Sequence, residues 1–219
     1  MRGHLTILVA ALTLVASAAT TSIAAMQDQV DQATTIIGRF REIPEKGIPD
    51  KVLRDAKGLA ILTVLKAGFM FSGQGGWGVV VARRGHGWSG PSAIGTGGAG
   101  FGFQVGAEVT EFVLVLNTPE AVDAFAHGGN VSFGGALSAA AGPVGRTVGA
   151  NVMPVAAVYT YSRSQGVFAG VSIEGTVIAA RDSENHDYYK RDVTPKQILS
   201  GQVKPPAGAA KLAKALGKY

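Results

Sequence analysis

Apolar residues at helical spacing predict a helix near the start of the chain. Between residues 27 and 41, Val30, Ala33, Ile37 and Phe40 recur every three or four positions, so they share one face of an amphipathic helix. Acidic residues precede basic residues on the opposite face, which complements the helix dipole. The apolar face either packs on the rest of the protein or inserts into a membrane surface, and the pattern leaves both open.

Further helices are predicted from residues that favour helix starts. Asp50 is a suitable N-cap for a short helix over 50–57. Thr118 followed by Pro119 predicts a helix over 118–125, since proline is favoured at the first helical position. The remaining predicted helices cover 194–199 and the basic segment 207–216.

Between these helices the hydrophobic pattern changes from helical to extended. Short runs of branched apolar residues, bounded by glycines, predict buried strands. The predicted strands cover 59–65, 78–83, 98–109, 111–117, 131–140, 155–161 and 167–179. Turns are predicted at 84–87 and at 164–166.

Segment 98–109 combines a face of small residues with a face of large ones. Gly100, Gly102 and Gly106 share one parity, and apolar residues such as Phe103 lie on the other. A strand with glycines on one face allows another backbone or helix to approach that face closely.

Strands outnumber helices, and most are joined by connections of hairpin length. We therefore predict an α+β fold, with a mainly antiparallel β-sheet rolled into a sandwich or barrel and with N-terminal, middle and C-terminal helices packed on it. No long linker divides the chain, so a single domain is expected over 26–219 with its core at 57–201.

The composition excludes several classes of protein. Of the 219 residues, 47% are hydrophobic and 16% are charged, which excludes a fully disordered chain. The 31 glycines keep no three-residue period, which excludes a collagen. Because the chain has no Cys, it has no disulfide framework, thiolate zinc site, Cys nucleophile or lipid-modified Cys.

The first 25 residues are typical of a signal peptide. Arg2 precedes an apolar run, and no Asp, Glu, Lys or Arg occurs from 3 to 26. Ser22 and Ala24 form the small-x-small pattern of a cleavage site, and a retained membrane anchor is the alternative. We therefore expect cleavage near Ala24 or Ala25, export to the periplasm or beyond the cell, and peripheral association with a membrane.

No motif carries a strong signal for catalysis. Two G-x-G-x-x-G patterns, at 73–78 and 95–100, precede extended segments and not the helix that a dinucleotide loop requires. His86, His127 and His186 do not form metal-ligand pairs. We therefore expect no metal and no cofactor.

Three acidic residues lie in predicted strands: Glu108, Glu111 and Glu174. We interpret them as hydrogen-bonded or ion-paired, because the sequence brings no catalytic set together. A hydrolase that uses Glu108 or Glu174 is a minor alternative. The expected protein is not an enzyme and binds no nucleic acid.

Six separated runs resemble one protein family. They are AKGLAILTVLKAGF (56–69), GVVVAR (78–83), WSGPSAIG (88–95), AGPVGR (141–146), YSRSQG (161–166) and FAGVSIEG (168–175). On these runs the chain resembles the SYLF domain family. The resemblance implies a non-enzymatic lipid-binding module, since eukaryotic members bind phosphoinositides and fungal members also bind actin filaments. Together with the leader, it implies a stand-alone exported bacterial member.

Basic residues supply the candidate binding site, and the formal net charge is +5. The resemblance and this charge predict contacts to anionic lipid headgroups or a membrane surface, with a protein-interaction module as the alternative. The predicted first helix departs from lysine-rich membrane helices because it carries Asp28 and Asp31. The pattern does not decide between one patch and scattered charge. The candidate headgroup-binding residues are Arg39, Arg41, Lys51, Arg54, Lys57, Lys66, Arg83 and Arg84.

Overall fold

The computed structural model describes residues 26–42, 47–128, 131–132, 139–141, 156–166 and 177–217. Within these residues the helices are α1 (Met26–Glu42), α2 (Asp50–Asp55), α3 (Pro119–Ala126), α4 (Asp182–Tyr189), α5 (Pro195–Leu199) and α6 (Ala210–Leu216), with a 3-10 helix at Ala207–Ala209. The strands are β1 (Gly58–Arg84), β2 (Gly87–Trp88), β3 (Ser92–Leu116), β4 (Val131–Ser132), β5 (Ala139–Ala141), β6 (Val158–Gly166) and β7 (Val177–Ala180).

A long antiparallel hairpin of β1 and β3 organises the sheet. The pairing runs from Gly58 opposite Leu116 to Val80 opposite Ser92, and its register shifts between Phe69 and Phe71. Short strands extend this hairpin within the sheet, in the order β2-β1-β3-β6-β5, and β7 pairs with both β3 and β4. Among the described strands, only β5 and β6 pair in parallel.

The hairpin doubles back, so that the two ends of β1 meet. The backbone N–H of Arg83 donates to the carbonyl of Lys57 at 2.8 Å. A Cβ at Gly78 would lie 2.6 Å from the Cα of Leu62, whereas these residues would be about 50 Å apart in a straight strand that rises roughly 3.3 Å per residue. Glycine is therefore needed where β1 crosses its own first half.

Each face of the doubled sheet has its own hydrophobic core. Odd-numbered residues of β1 and β3, such as Leu59 and Val113, pack with helices α1, α2 and α6. Even-numbered residues, such as Leu62 and Leu114, pack with α3, α5 and β7. The alternation places helices on both faces, as a period of two requires.

The fold class is confirmed: the described residues form an α+β arrangement around a largely antiparallel sheet. Among the strands that the structure describes, the order of pairing does not return to its start, so the sheet is open. Of the two predicted forms, the sandwich-like one is found. The predicted helices at 27–41, 50–57, 118–125, 194–199 and 207–216 are present with small changes in their ends.

Several predicted boundaries are wrong. The predicted strands 59–65 and 78–83 are one strand, as are 98–109 and 111–117. The predicted turn at 164–166 is part of β6, where Gln165 pairs with Val109. Asp50 lies inside α2, whose N-cap is Pro49.

Candidate basic interaction site

Arg83 connects the end of β1 to helix α2. Its Nε donates to the carbonyl of Ala56 at 2.8 Å, and its Nη2 donates to that of Leu53 at 2.7 Å. Carbonyls in the last turn of a helix have no partner within the helix, and a cation is favourable there because of the helix dipole. Arg83 therefore caps α2 from a neighbouring strand.

The ring of Trp88 packs against the same guanidinium group. The Arg83 guanidinium carbon lies 4.2 Å from the centroid of the Trp88 ring, which is a cation–π distance. The indole Nε1 donates to the carbonyl of Leu216 at 3.2 Å. Burial lowers the pKa of Arg83, and the charge of Asp55 raises it in opposition. No role was predicted for Trp88, although an aromatic residue close in the chain to a candidate cation was a signal for a cation–π contact.

Three more candidate cations lie around this Arg83 anchor. Lys51 pairs with Asp55 at 2.6 Å one turn along α2, while Arg54 and Lys57 are exposed. Surface ion pairs contribute about 0–1 kcal/mol, so Asp55 holds Lys51 only weakly. We call Lys51, Arg54, Lys57 and Arg83 the basic corner.

Arg84 points away from the contacts that Arg83 makes. Its Nε donates to the carbonyl of Leu199, at the end of helix α5. The side chain lies 3.7 Å from the position of a Cβ at Gly201. Arg84 thus caps a different helix, on the face of the sheet that holds α3 and α5.

The other three candidate cations are Arg39, Lys66 and Arg41, and two of them face acidic residues of β3. Arg39 forms an ion pair with Glu111 on β3, whose side chain is only 8% exposed. Lys66 lies opposite Glu108 in the β1–β3 register, and it is about 30 Å along the strand from Lys57 at roughly 3.3 Å per residue. Arg41 is exposed in the last turn of α1. The structure therefore gathers four of the eight candidates.

The apolar face of α1 packs on the sheet. Val30, Ile36, Ile37 and Phe40 are each no more than 3% exposed and belong to the core that covers the odd-numbered face. Of the two interpretations that the sequence left open, packing is the one found. Among the described helices, none combines the length and apolar character needed to span a bilayer.

The buried acids make hydrogen bonds and ion pairs within the sheet. Glu108 is 1% exposed and accepts a hydrogen bond from the hydroxyl of Thr110 at 3.3 Å. That hydroxyl also lies 3.0 Å from the hydroxyl of Ser164. In the part of the chain that the structure describes, no three His, Asp or Glu side chains are placed to hold a metal ion. Glu174 lies outside the described residues.

A family model described as "Las17-binding protein actin regulator", named Ysc84, matches residues 97–219, more than half of the chain. An SH3 domain-containing protein of Schizosaccharomyces pombe is 51% identical over 174 residues, which are 77% of this chain and 40% of that protein. The human SH3 domain-containing YSC84-like protein 1 is 45% identical over 202 residues, 89% of this chain and 59% of that protein.

LAS seventeen-binding protein 3 of Saccharomyces cerevisiae is 52% identical over 164 residues, which are 73% of this chain and 36% of that protein. The chain thus spans between about a third and three fifths of these curated relatives. Their names connect them to SH3 domains, to Las17 and to actin regulation.

These relatives correct the predicted location. They come from fungi and mammals, and the matching family model is described as an actin regulator. The prediction of export to a periplasm or beyond the cell is therefore wrong. The relatives also give no support to an exported bacterial type, and residues 1–25, on which that prediction depended, lie outside the described residues.

Proposed function

The chain belongs to the Ysc84 family of SYLF domains, and on that premise we propose that it is a non-enzymatic protein-interaction module of the actin-regulating type. The family description names actin regulation, and the yeast relative is named for its binding of Las17. Because the chain spans only part of those relatives, the partner of this segment is proposed and not carried over from their names. We assign it an acidic protein surface, with the actin filament as the first candidate.

The basic corner is the surface that supports this proposal. Arg54 and Lys57 are exposed, while Arg83 holds the backbone beneath them through the Leu53 and Ala56 carbonyls. Exposed cations on a rigid support favour a partner of opposite charge, because charge complementarity speeds association and selects the partner. This placement of exposed cations on a rigid support is the observation on which the proposal depends.

Co-sedimentation with actin filaments tests the proposal. The variant Arg54→Glu/Lys57→Glu reverses two exposed charges at the basic corner. The matched control, Arg191→Glu/Lys196→Glu, reverses two exposed charges near α5. We expect the wild-type chain to pellet with filaments at low salt, the corner variant to bind at least tenfold more weakly, and the control to bind like the wild type.

Two outcomes would overturn the proposal. If the wild-type chain stays in the supernatant at every filament concentration, actin is not its partner. If both double variants lose the same amount of binding, the corner has no special role and only net charge matters. Circular dichroism of each variant checks that the fold is intact.

Lipid-headgroup binding remains a prediction, and the packing of α1 makes it the weaker candidate. Interfacial helices bury their apolar face in the bilayer, whereas Ile37 and Phe40 are already buried against the sheet. Vesicles containing anionic lipid, sedimented beside the actin samples, compare the two ligands directly. We expect the corner variant to alter filament binding more than vesicle binding.

A further inference from the structure

A cavity of about 250 Å³ lies between β2, the segment before the 3-10 helix, and helix α6. Its walls are mainly apolar. They include Val81, Trp88, Pro91, Pro205, Leu212 and Leu216. Arg54 and Lys57, the cations reversed in the actin test, are not among the residues that line the cavity, so the two proposals depend on different side chains.

Polar atoms in the cavity wall are bonded to other protein atoms. The Ser89 hydroxyl accepts from the N–H of Ala82 at 2.9 Å and donates to the carbonyl of Gly90 at 2.8 Å. The Pro91 carbonyl accepts a hydrogen bond from the Tyr189 hydroxyl at 2.9 Å, and the Trp88 N–H is held by Leu216. A cavity whose polar groups are already satisfied gives water few partners and favours apolar atoms.

The wall is also held in place before any ligand arrives. Trp88 is fixed on one side by the cation–π contact with Arg83 and on the other by its hydrogen bond to Leu216. Pro205 and Pro206 have restricted backbones and form the opposite wall. Preformed apolar sites bind with a smaller ordering cost than sites that must assemble.

One lining side chain carries charge. Lys204 lies at the edge of the cavity and is exposed. We propose that this cavity binds a single-chain amphiphile, with its apolar tail against Trp88 and Leu212 and its anionic head at Lys204. The volume equals that of about eight waters at roughly 30 Å³ each. Because a methylene group takes up nearly as much space as a water, about eight carbons of a medium-length chain fit inside, with the carbons nearest the head at the edge beside Lys204.

Fluorescence of Trp88 reports directly on the tail. The chain has two tryptophans, and Trp77→Phe leaves Trp88 as the only one. Three probes have tails of about nine or ten carbons and differ in the head: decanoate, decanol and decyltrimethylammonium. The two ionic probes are kept below their micelle concentrations, and decanol is kept below its limit of solubility in water. We expect saturable changes in Trp88 emission, with decanoate binding at least fivefold more tightly than decanol and the cation weakest.

Variants in the same background separate the head from the tail. Lys204→Ala should reduce decanoate affinity to that of decanol, while Lys214→Ala, an exposed lysine on α6 outside the lining, should leave it unchanged. Ala213→Phe, at an exposed lining position, should fill the cavity and weaken decanoate and decanol alike, at least tenfold. A second filling variant, Ala210→Phe, gives the same test if the first does not fold.

Several results would overturn the proposal. Emission that does not saturate, or that the filling variants leave unchanged, would show that the probes bind elsewhere. Equal affinity for all three probes would remove the role of Lys204. The filling variants should keep filament binding, so failure of the cavity and failure of the actin proposal are distinguishable.

Discussion

Arg83 shows how one side chain can stabilise several elements. Its guanidinium caps α2, stacks on Trp88 and thereby contacts the wall of the cavity. The planar fork of an arginine can do this, whereas a lysine offers a point charge and cannot both donate to two carbonyls and stack in the same way. The sequence identified Arg83 as a candidate ligand because it is basic, and Trp88 is close to it in the chain. The two carbonyls that Arg83 caps lie 27 and 30 positions away, so these partners were not predictable.

Glycine at position 78 is the residue on which the crossing of β1 depends. In Gly78→Ala the new Cβ would lie 2.6 Å from the Leu62 Cα, and a backbone atom cannot move aside as a flexible side chain can. We expect a loss of about 1–3 kcal/mol or more in the free energy of unfolding, as for overpacked cores. Urea denaturation measures this loss.

The control for that substitution is Gly75→Ala in the same strand. A Cβ there has no atom within 4 Å, so its effect should stay within about 0.5 kcal/mol, as for ordinary surface changes. Equal losses in the free energy of unfolding at the two positions would mean that the close crossing of β1 does not depend on Gly78.

Helix α1 belongs to the hydrophobic core and is not an attached arm. We expect Ile37→Ala to lower the free energy of unfolding by about 2–4 kcal/mol, because Ile37 is 1% exposed and its removal leaves a cavity. Thr35→Ala, on the exposed face of the same helix, should change it by less than about 0.5 kcal/mol. Urea denaturation compares the two, and a loss below about 1 kcal/mol for Ile37→Ala would contradict the packing of α1.

Helices α1 and α3 could be predicted from the sequence, whereas helix α4 could not, and the difference has a physical reason. Helices α1 and α3 carry local signals, namely apolar spacing in α1 and the Thr118 cap, whose hydroxyl accepts from the N–H of Ala121. Helix α4 was missed because its sequence, DSENHDYY, has no apolar stripe. It is stabilised by tertiary contacts, such as the Asn185 side chain accepting from the N–H of Ala93 at 2.8 Å.

For β1 and β3, the local pattern predicted breaks where the structure has continuous strands. Glycine-rich stretches within β1 and β3 look like breaks when the chain is inspected locally, yet they are paired across the hairpin. Pairing between distant segments overrides local propensity in sheets. The close approach predicted at Gly100, Gly102 and Gly106 of β3 stays a prediction. In β1, the strand that pairs with β3, other atoms do approach Gly76 and Gly78 closely.

Across the molecule, one partly buried tyrosine and two buried ones link stability to alkaline pH. Burial, with a smaller contribution from Asp31, raises the pKa of Tyr188 to about 12, and burial also raises the pKa of Tyr161 and Tyr189. An unfolded tyrosine loses its proton near pH 10, so above that pH the folded state holds more protons than the unfolded state. Stability is therefore fully present below about pH 10 and falls as the pH rises toward 12.

Thermal unfolding followed by circular dichroism from pH 8 to 12, together with tyrosinate absorbance, measures this effect. We expect the Tm to be level up to about pH 10 and then to fall, with tyrosinate appearing as the chain unfolds. The variant Tyr188→Phe should show a shallower fall than the wild type. Complete tyrosine ionisation near pH 10 with the Tm unchanged would contradict the burial of these rings.

The doubled hairpin also has a consequence for the order in which the chain folds. Gly58 pairs with Leu116, nearly sixty residues later, while Val80 pairs with Ser92 close to the turn. Closing a short loop costs less chain entropy than closing a long one, so the hairpin should nucleate at the turn around Gly85 and zip toward its ends. The crossing at Gly78 and the docking of α2 on Arg83 bring the first and last parts of β1 together. We therefore expect both to form late in folding.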